Sequence, residues 1–187
     1  MVSLQWSRQV LPEDAFSQLY TDHMQADFPA CELKPFKHLL ALQATGNYGA
    51  YTFGQAADMR AYACLYADQE AALLDYFAVA RGYRSEGWGS RALEALLDQG
   101  LPSGGLILEC DDPAFAETDA ERRIRERRIQ FYERLGFSDS GVRATVFTAP
   151  FWVMARGQVE DARAALKHVY DIFVPDEKLY AKYIHIH

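Results

Sequence analysis

Apolar and polar residues along the first half of the chain form blocks typical of short helices and strands. Residues 2–6 are predicted to form a first strand, and apolar residues then recur at helical spacing over 12–24 and 34–44. Strand-like runs follow at 48–53, 61–67 and 71–79, separated by short polar segments. The pattern predicts two helices followed by a meander of three strands.

In the second half, helices alternate with strands. A helix is predicted from Ser90 to about Gln99, and an apolar strand follows at 106–110. Thr118-x-x-Glu121 has the spacing of a capping box, for a helix that ends before Gly136. Two further strands are expected near 143–148 and 151–155. The order predicts an α+β fold with a mixed, mostly antiparallel central sheet flanked by helices.

The last thirty residues are predicted to be a helical addition. Residues 160–173 have helical spacing, Pro175 interrupts it, and 177–183 form another helical turn. We therefore predict a domain at 1–157 and a helical C-terminal extension at 158–187. The apolar face of the extension would cover its own domain or a second subunit, which leaves a homodimer open. The two histidines near the end have no third ligand beside them, so no metal is expected.

The run Arg84-Ser85-Glu86-Gly87-Trp88-Gly89-Ser90 lies between a predicted strand and a predicted helix. Its glycines let a ligand approach the backbone, and the first amides of a helix lack partners within that helix, so the run predicts a phosphate-binding loop. Gly87-x-Gly89-x-x-Ala92 also fits the dinucleotide-binding fingerprint. However, residues 80–86 separate the strand from the first glycine, and a dinucleotide loop has no room for them.

Two motifs together resemble the GNAT acetyltransferase superfamily. Arg84-x-x-Gly87-x-Gly89 resembles its acyl-CoA pyrophosphate loop, and 131–137, Phe-Tyr-Glu-Arg-Leu-Gly-Phe, is similar to its late helix, which carries a tyrosine and ends at Gly-Phe. The motifs have the family's order and lie about 45 residues apart. The resemblance covers about residues 1–157. It implies a GNAT fold and an N-acetyltransferase that moves an acetyl group from acetyl-CoA to a primary amine by direct attack through a tetrahedral intermediate.

The same resemblance implies residues for acetyl-CoA and for catalysis. Tyr132 matches the family's tyrosine and would protonate the departing thiolate, while the N–H groups of 77–79 would stabilise an oxyanion. Arg125 and Arg128 replace an asparagine and an alanine that the family often has seven and four positions before the tyrosine. The cofactor-binding residues implied are Phe77, Ala78, Val79, Arg84, Ser85, Glu86, Gly87, Trp88, Gly89 and Ser90.

A base is also needed, because an alkylamine with a pKa of about 10.4 must lose a proton before it attacks a thioester. Glu109 at the end of a strand and Asp75, which alternates with Phe77, are the candidates, followed by Asp111. Each carboxylate could instead cap a turn or bind an arginine, with water carrying the proton. By family analogy, Phe28, Glu32 and Asp111 are expected to contact the acceptor.

Composition and charge bear on the partners, the location and the cysteine chemistry of the protein. The net charge of −7, from 19 basic and 26 acidic residues, argues against a nucleic-acid partner. No stretch is apolar enough to span a membrane and the start lacks a secretion signal, so a cytoplasmic protein is expected. The three dispersed cysteines are predicted to be reduced thiols of the core. Two alternatives stay open: a catalytically silent CoA-sensing module and a dinucleotide-binding oxidoreductase.

Overall fold

The computed structural model describes residues 10–55, 58–98 and 100–187. The strand predicted at 2–6 lies outside these residues. The chain forms two compact units. The first comprises the described residues up to Tyr66 together with 75–98, and the second comprises 67–74 and 100–187.

Strands that the structure describes form one mixed sheet. They are β1 (Tyr48–Gln55), β2 (Asp58–Ala67), β3 (Ala72–Val79), β4 (Gly105–Asp111), β5 (Ser138–Val146), β6 (Ala149–Gly157) and β7 (Ile184–Ile186). They are hydrogen-bonded in the order β1-β2-β3-β4-β6-β5-β7. Five strand pairs have a defined register. Of these, β3–β4 is parallel, and β1–β2, β4–β6, β5–β6 and β5–β7 are antiparallel. The predicted mixed, mostly antiparallel sheet is confirmed.

The helices lie close to the predicted segments. They are α1 (Glu13–Leu19), α2 (Gln25–Asp27), α3 (Phe36–Gln43), α4 (Trp88–Leu97), α5 (Asp119–Arg134), α6 (Ala162–Phe173) and α7 (Glu177–Tyr183). A π-helical turn, Tyr20–Met24, joins α1 to α2, so the first predicted helix continues to Asp27 in three parts. The capping signals of α5 are confirmed, because the Thr118 hydroxyl accepts from the N–H of Glu121 and Gly136 has a φ of +82°.

In the first unit, the core lies between the early helices and β2. Phe16, Met24 and Leu39 have no exposed surface, and six consecutive residues of β2, Ala61 to Tyr66, are buried. A continuous buried run is typical of a strand that is covered on both faces. The segment between α2 and α3 leads from this core back toward the surface, where Cys31 is exposed. The prediction that all three cysteines belong to the core is therefore wrong for Cys31, which lies in a turn; Cys64 and Cys110 are buried.

In the second unit, β4 lies between β3 and β6. Leu73 pairs with Ile107 and Leu74 with Leu108, and both strands continue beyond these pairs, β3 to Val79 and β4 to Asp111. β5 begins at Ser138, five positions before the strand predicted near 143. Its register shifts between Asp139 and Arg143, where Gly141 has a φ of +76°. The shift separates the first residues of β5 from the part of the strand that was predicted.

The C-terminal residues contain the two predicted helices and also a strand. Asp161 caps α6 by accepting from the N–H of Ala164, and Asp176 caps α7. The short strand β7 then pairs with β5, with Ile184 opposite Val146. The extension is therefore not helical throughout, and the boundary at 157 stays a prediction. None of the helices in the part of the chain that the structure describes has the length and apolar character needed to cross a bilayer.

Candidate functional site

The loop before α4 places the helix N-terminus at the protein surface. Ser85 has a φ of +66° and Gly87 a φ of +79°, so two left-handed residues turn the chain into the helix. The first intrahelical bond runs from the N–H of Arg91 to the carbonyl of Gly87 at 3.2 Å. The amides of 88–90 precede that bond, and no side chain in the described residues caps this helix. Such amides are suited to an anion.

The turn at Gly87 also leaves open space beside these amides. Gly87 is exposed, and a Cβ built on it would have no described atom within 4 Å. The positive φ of residue 87 favours a glycine at this position, whereas the space around it would admit a side chain. The loop thus combines open space, uncapped amides and the positive end of a ten-residue helix.

Arg84 is held by the protein itself. Its guanidinium donates to the Asp27 carboxylate at 2.8 Å and to the carbonyl of Val79 at 3.1 Å. The Asp27 side chain is only 4% exposed, and it also contacts Arg81 at 3.6 Å and the Tyr62 hydroxyl at 3.1 Å. Asp27 therefore holds Arg81 and Arg84, which lie before the glycines of the loop. The sequence contained no signal for this residue, which is 57 positions from Arg84.

Trp88 and Tyr83 belong to a stack of aromatic and cationic groups beside the loop. The Arg60 guanidinium lies 3.8 Å from the Tyr83 ring centroid and 4.9 Å from that of Trp88, and Arg91 lies 5.0 Å from the Trp88 ring. The Trp88 N–H donates to Glu86 at 3.2 Å. A hydrogen bond from its hydroxyl to Asp58 raises the pKa of Tyr83. These contacts restrain the side chains of the predicted loop.

Asp75 is engaged by two partners in the first unit. It accepts a hydrogen bond from the Lys34 ammonium at 2.7 Å and another, at 2.7 Å, from the Tyr48 hydroxyl. Its side chain is 5% exposed. Burial, together with the charge of Asp75, raises the pKa of Tyr48 well above 10. The observed geometry makes Asp75 an ion-pair partner of Lys34, and its role as a base stays a prediction.

Phe28 and Glu32, which are expected to contact the acceptor, both contact Tyr76 on β3. Phe28 packs edge-on against the Tyr76 ring at 4.9 Å. The Tyr76 hydroxyl donates to the carbonyl of Glu32 at 2.9 Å and accepts from the N–H of Lys34 at 2.9 Å. Burial raises the pKa of Tyr76, so it remains a donor at neutral pH.

Glu109 lies on β4 in the second unit and is half-buried. Its Oε2 atom accepts a hydrogen bond from the Tyr170 hydroxyl of α6 at 2.7 Å. Tyr170 is 3% exposed. Sequence reasoning missed Tyr170, because helical spacing identified it only as part of an apolar face.

Tyr132 is buried on α5, as its place on the helix predicts. Its ring packs edge-on against Phe131 at 5.0 Å and Phe137 at 5.7 Å. Burial raises the pKa of Tyr132 well above 10, the Cys110 thiol adds to the effect, and the Arg128 charge opposes it. The phenol is therefore protonated at neutral pH and can donate a proton.

Asp111, a candidate for both acceptor binding and proton transfer, forms an ion pair with Arg128. Arg125 donates to the carbonyl of Asp112 at 2.6 Å and pairs with Glu121 at 2.5 Å. The two arginines that replace the family's smaller residues thus bind the end of β4 and the loop after it. Burial raises the pKa of the neighbouring Cys110 thiol to about 12, with Asp111 and Glu109 contributing and Arg128 opposing.

Comparisons with known proteins decide the family. The model of the GNAT acetyltransferase family matches residues 11–137, more than half of the chain. The chain belongs to this family. GNAT proteins transfer the acetyl group of acetyl-CoA, so the predicted acetyl-CoA-dependent N-acyltransferase is confirmed at this level. No curated protein matches the sequence.

Solved structures share the fold. A protein from Bacteroides thetaiotaomicron assigned to the GNAT family is 21% identical, with 95% of this chain and 96% of that chain covered and a TM-score of 0.67. The ribosomal-protein-S18-alanine N-acetyltransferase of Escherichia coli is 22% identical, with 84% and 96% covered and a TM-score of 0.59. Arabidopsis thaliana Naa50, in complex with the bisubstrate analogue CoA-Ac-MVNAL, is 16% identical, with 83% and 99% covered and a TM-score of 0.60. At these identities the likeness shows the fold, and it confirms the predicted GNAT architecture.

Proposed function

We propose that this acetyltransferase moves the acetyl group of acetyl-CoA to a primary amine by direct attack, through a tetrahedral intermediate. The observation that carries the proposal is the loop before α4, where left-handed Ser85 and Gly87 present an uncapped helix N-terminus beside Arg84. An exposed helix N-terminus with a nearby arginine suits a diphosphate, and acetyl-CoA contains one. The bound molecule supplies the activated thioester.

In this proposal the residues of 84–90 and the strand end 77–79 hold acetyl-CoA. The amides of 88–90 and the Arg84 guanidinium bind the diphosphate. The backbone N–H groups of Phe77, Ala78 and Val79 stabilise the oxyanion. Ser85, Glu86 and Trp88 are proposed to shape the loop, where the Trp88 indole donates to the Glu86 carboxylate.

Tyr132 is the proposed general acid. A phenol whose pKa is raised by burial carries its proton at neutral pH and can deliver it to the departing thiolate. Its edge-on contacts with Phe131 and Phe137 support the role, because they hold the ring in one orientation.

Glu109 is the proposed base, and its place near the end of β4 supports the role. Asp75 is paired with Lys34 and Asp111 with Arg128. The Oε2 atom of Glu109 accepts a hydrogen bond from the Tyr170 hydroxyl at 2.7 Å, which orients the carboxylate.

The acceptor is proposed to be an amine presented near Phe28, Glu32 or Asp111. In the first unit Phe28 and Glu32 supply an aromatic ring and a carboxylate, and in the second unit Asp111 supplies a carboxylate; either kind of group suits a cationic amine. One structural relative is a ribosomal-protein-S18-alanine N-acetyltransferase, and another, Naa50, was solved with the bisubstrate analogue CoA-Ac-MVNAL, so peptide N-termini belong among the candidates.

A panel of amines tests the proposal. Purified protein is mixed with acetyl-CoA and with polyamines, amino acids, aminoglycosides or peptides with free N-termini, and thiol release is recorded. Release that depends on one amine, with the acetylated product seen by mass spectrometry, supports the proposal. Binding of CoA without thiol release on any amine would instead support a CoA-sensing module. Stabilisation by NADH but not by CoA would favour an oxidoreductase.

A further inference from the structure

Tyr170 connects the C-terminal helix α6 to the candidate base. Its hydroxyl donates to Glu109 Oε2 at 2.7 Å, across 61 positions of sequence. We infer that Tyr170 is a positioning residue for Glu109 in the deprotonation of the amine, an inference that rests on the base role proposed for Glu109.

The phenol is fixed by its helix. Leu166, Val169 and Phe173 of α6 are buried together with Tyr170, and the Tyr170 ring contacts that of Phe173 edge-on at 6.0 Å. The Asp161 side chain caps the start of the helix. A hydroxyl on such a rigid support holds its acceptor in one rotamer, which is what a proton-accepting carboxylate requires.

The bond also acts on the charge of Glu109. A hydrogen bond donated to a carboxylate favours its ionised form, which is the form that accepts a proton. Loss of the hydroxyl removes this support and leaves a half-buried carboxylate with one donor fewer. We therefore expect Glu109 to ionise at higher pH without Tyr170.

Other titratable or charged groups lie on β4 and on α5. Cys110 and Asp111 lie on the same strand, and Arg128 of α5 pairs with Asp111. Tyr132 of α5 lies beside Cys110. The variant Tyr170→Phe removes only the hydroxyl of Tyr170 and leaves these groups in place. A difference between this variant and the wild-type protein therefore reports on that hydroxyl.

The variant Tyr170→Phe tests the inference, with Tyr180→Phe on α7 as the matched control. Protein labelled with ¹³C at the glutamate carboxyl carbon is titrated by NMR without acetyl-CoA, and the Glu109 signal is assigned by its absence in Glu109→Gln. The midpoint of the Glu109 titration is expected to rise by roughly half to one pH unit in Tyr170→Phe and to stay constant in Tyr180→Phe. The acid limb of the kcat/KM profile should move by the same amount.

Different results would overturn the positioning role of Tyr170 and the base role of Glu109. An unchanged Glu109 midpoint in folded Tyr170→Phe overturns the positioning role, whatever the activity. Wild-type rates and an unmoved acid limb in Glu109→Gln overturn the base role proposed above. Should Tyr170→Phe not fold, the ¹³Cζ signal of Tyr170 in the wild-type protein is used: it should titrate with the Glu109 midpoint, and a signal that ignores that midpoint overturns the inference.

Discussion

The Arg84 guanidinium donates to the Asp27 carboxylate at 2.8 Å, so the arginine of the loop motif is bound by the protein itself. Asp27 is nearly buried while the Arg84 side chain is 52% exposed. The carboxylate therefore fixes one side of the guanidinium and leaves its outer side facing solvent. Arg84 is held in place before any phosphate binds, and less conformational entropy is lost on binding.

Arg84→Ala is expected to weaken acetyl-CoA binding. The exposed guanidinium contributes a screened charge-assisted bond, so the Kd should rise about fivefold at low ionic strength. The difference should shrink as salt is added, because salt screens exposed charges. Isothermal titration calorimetry with acetyl-CoA at two salt concentrations measures both effects.

Arg81→Ala is the matched control, because Arg81 also contacts Asp27 but stands outside the loop motif. Its Kd should stay within about twofold of wild type. Equal weakening by the two variants would mean that Arg84 acts through Asp27 and not on phosphate.

Gly87→Ala is expected to destabilise the loop. A non-glycine residue at φ +79° costs about 1 kcal/mol, since the added Cβ meets the chain's own backbone. No described atom lies within 4 Å of that Cβ, so crowding adds nothing. Urea unfolding should show the loss, and acetyl-CoA should bind more weakly.

Gly82→Ala separates strain from the mere addition of a methyl group. Gly82 also has open space around its Cβ position, but its φ is not positive. Unfolding of this variant should match wild type. If both alanine variants lost the same stability, the left-handed turn would not be the cause.

Tyr132→Phe is expected to lower kcat about 10²-fold while the Kd for acetyl-CoA stays nearly unchanged. The ring and its contacts remain, and only the proton donor is removed. Because burial raises the pKa of Tyr132, the wild-type rate should not fall between pH 7 and 9 through ionisation of this group. Stopped-flow thiol detection and calorimetry separate the two effects, and full activity would remove Tyr132 from the mechanism.

The three cysteines should differ in reactivity. The thiolate is the nucleophile, and burial raises the pKa of Cys110 to about 12 and that of Cys64 well above its usual range. Both thiols are therefore protonated and shielded at pH 8, whereas Cys31 is exposed. Iodoacetamide should label Cys31 alone in the native protein and all three in denaturant; native labelling of Cys110 would contradict the buried arrangement.

Local signals predicted much of the fold. The Thr118 cap, Gly136 at the end of α5 and the glycine turn before α4 all operate within a few residues, so the sequence contained them in full. The bulge at Gly141 and the strand β7 escaped prediction, because each depends on pairing with a strand distant in sequence.

The sequence by itself determined the helix and strand periods, the Arg-x-x-Gly-x-Gly loop and the tyrosine of the late helix, because these are properties of neighbouring residues. Only the tertiary structure decided the partners: Asp27 for Arg84, Lys34 for Asp75, Arg128 for Asp111 and Tyr170 for Glu109. The members of these pairs lie from 17 to 61 positions apart. Hydrogen bonds and close ion pairs form at about 3 Å, so only folding determines which side chain meets which carboxylate.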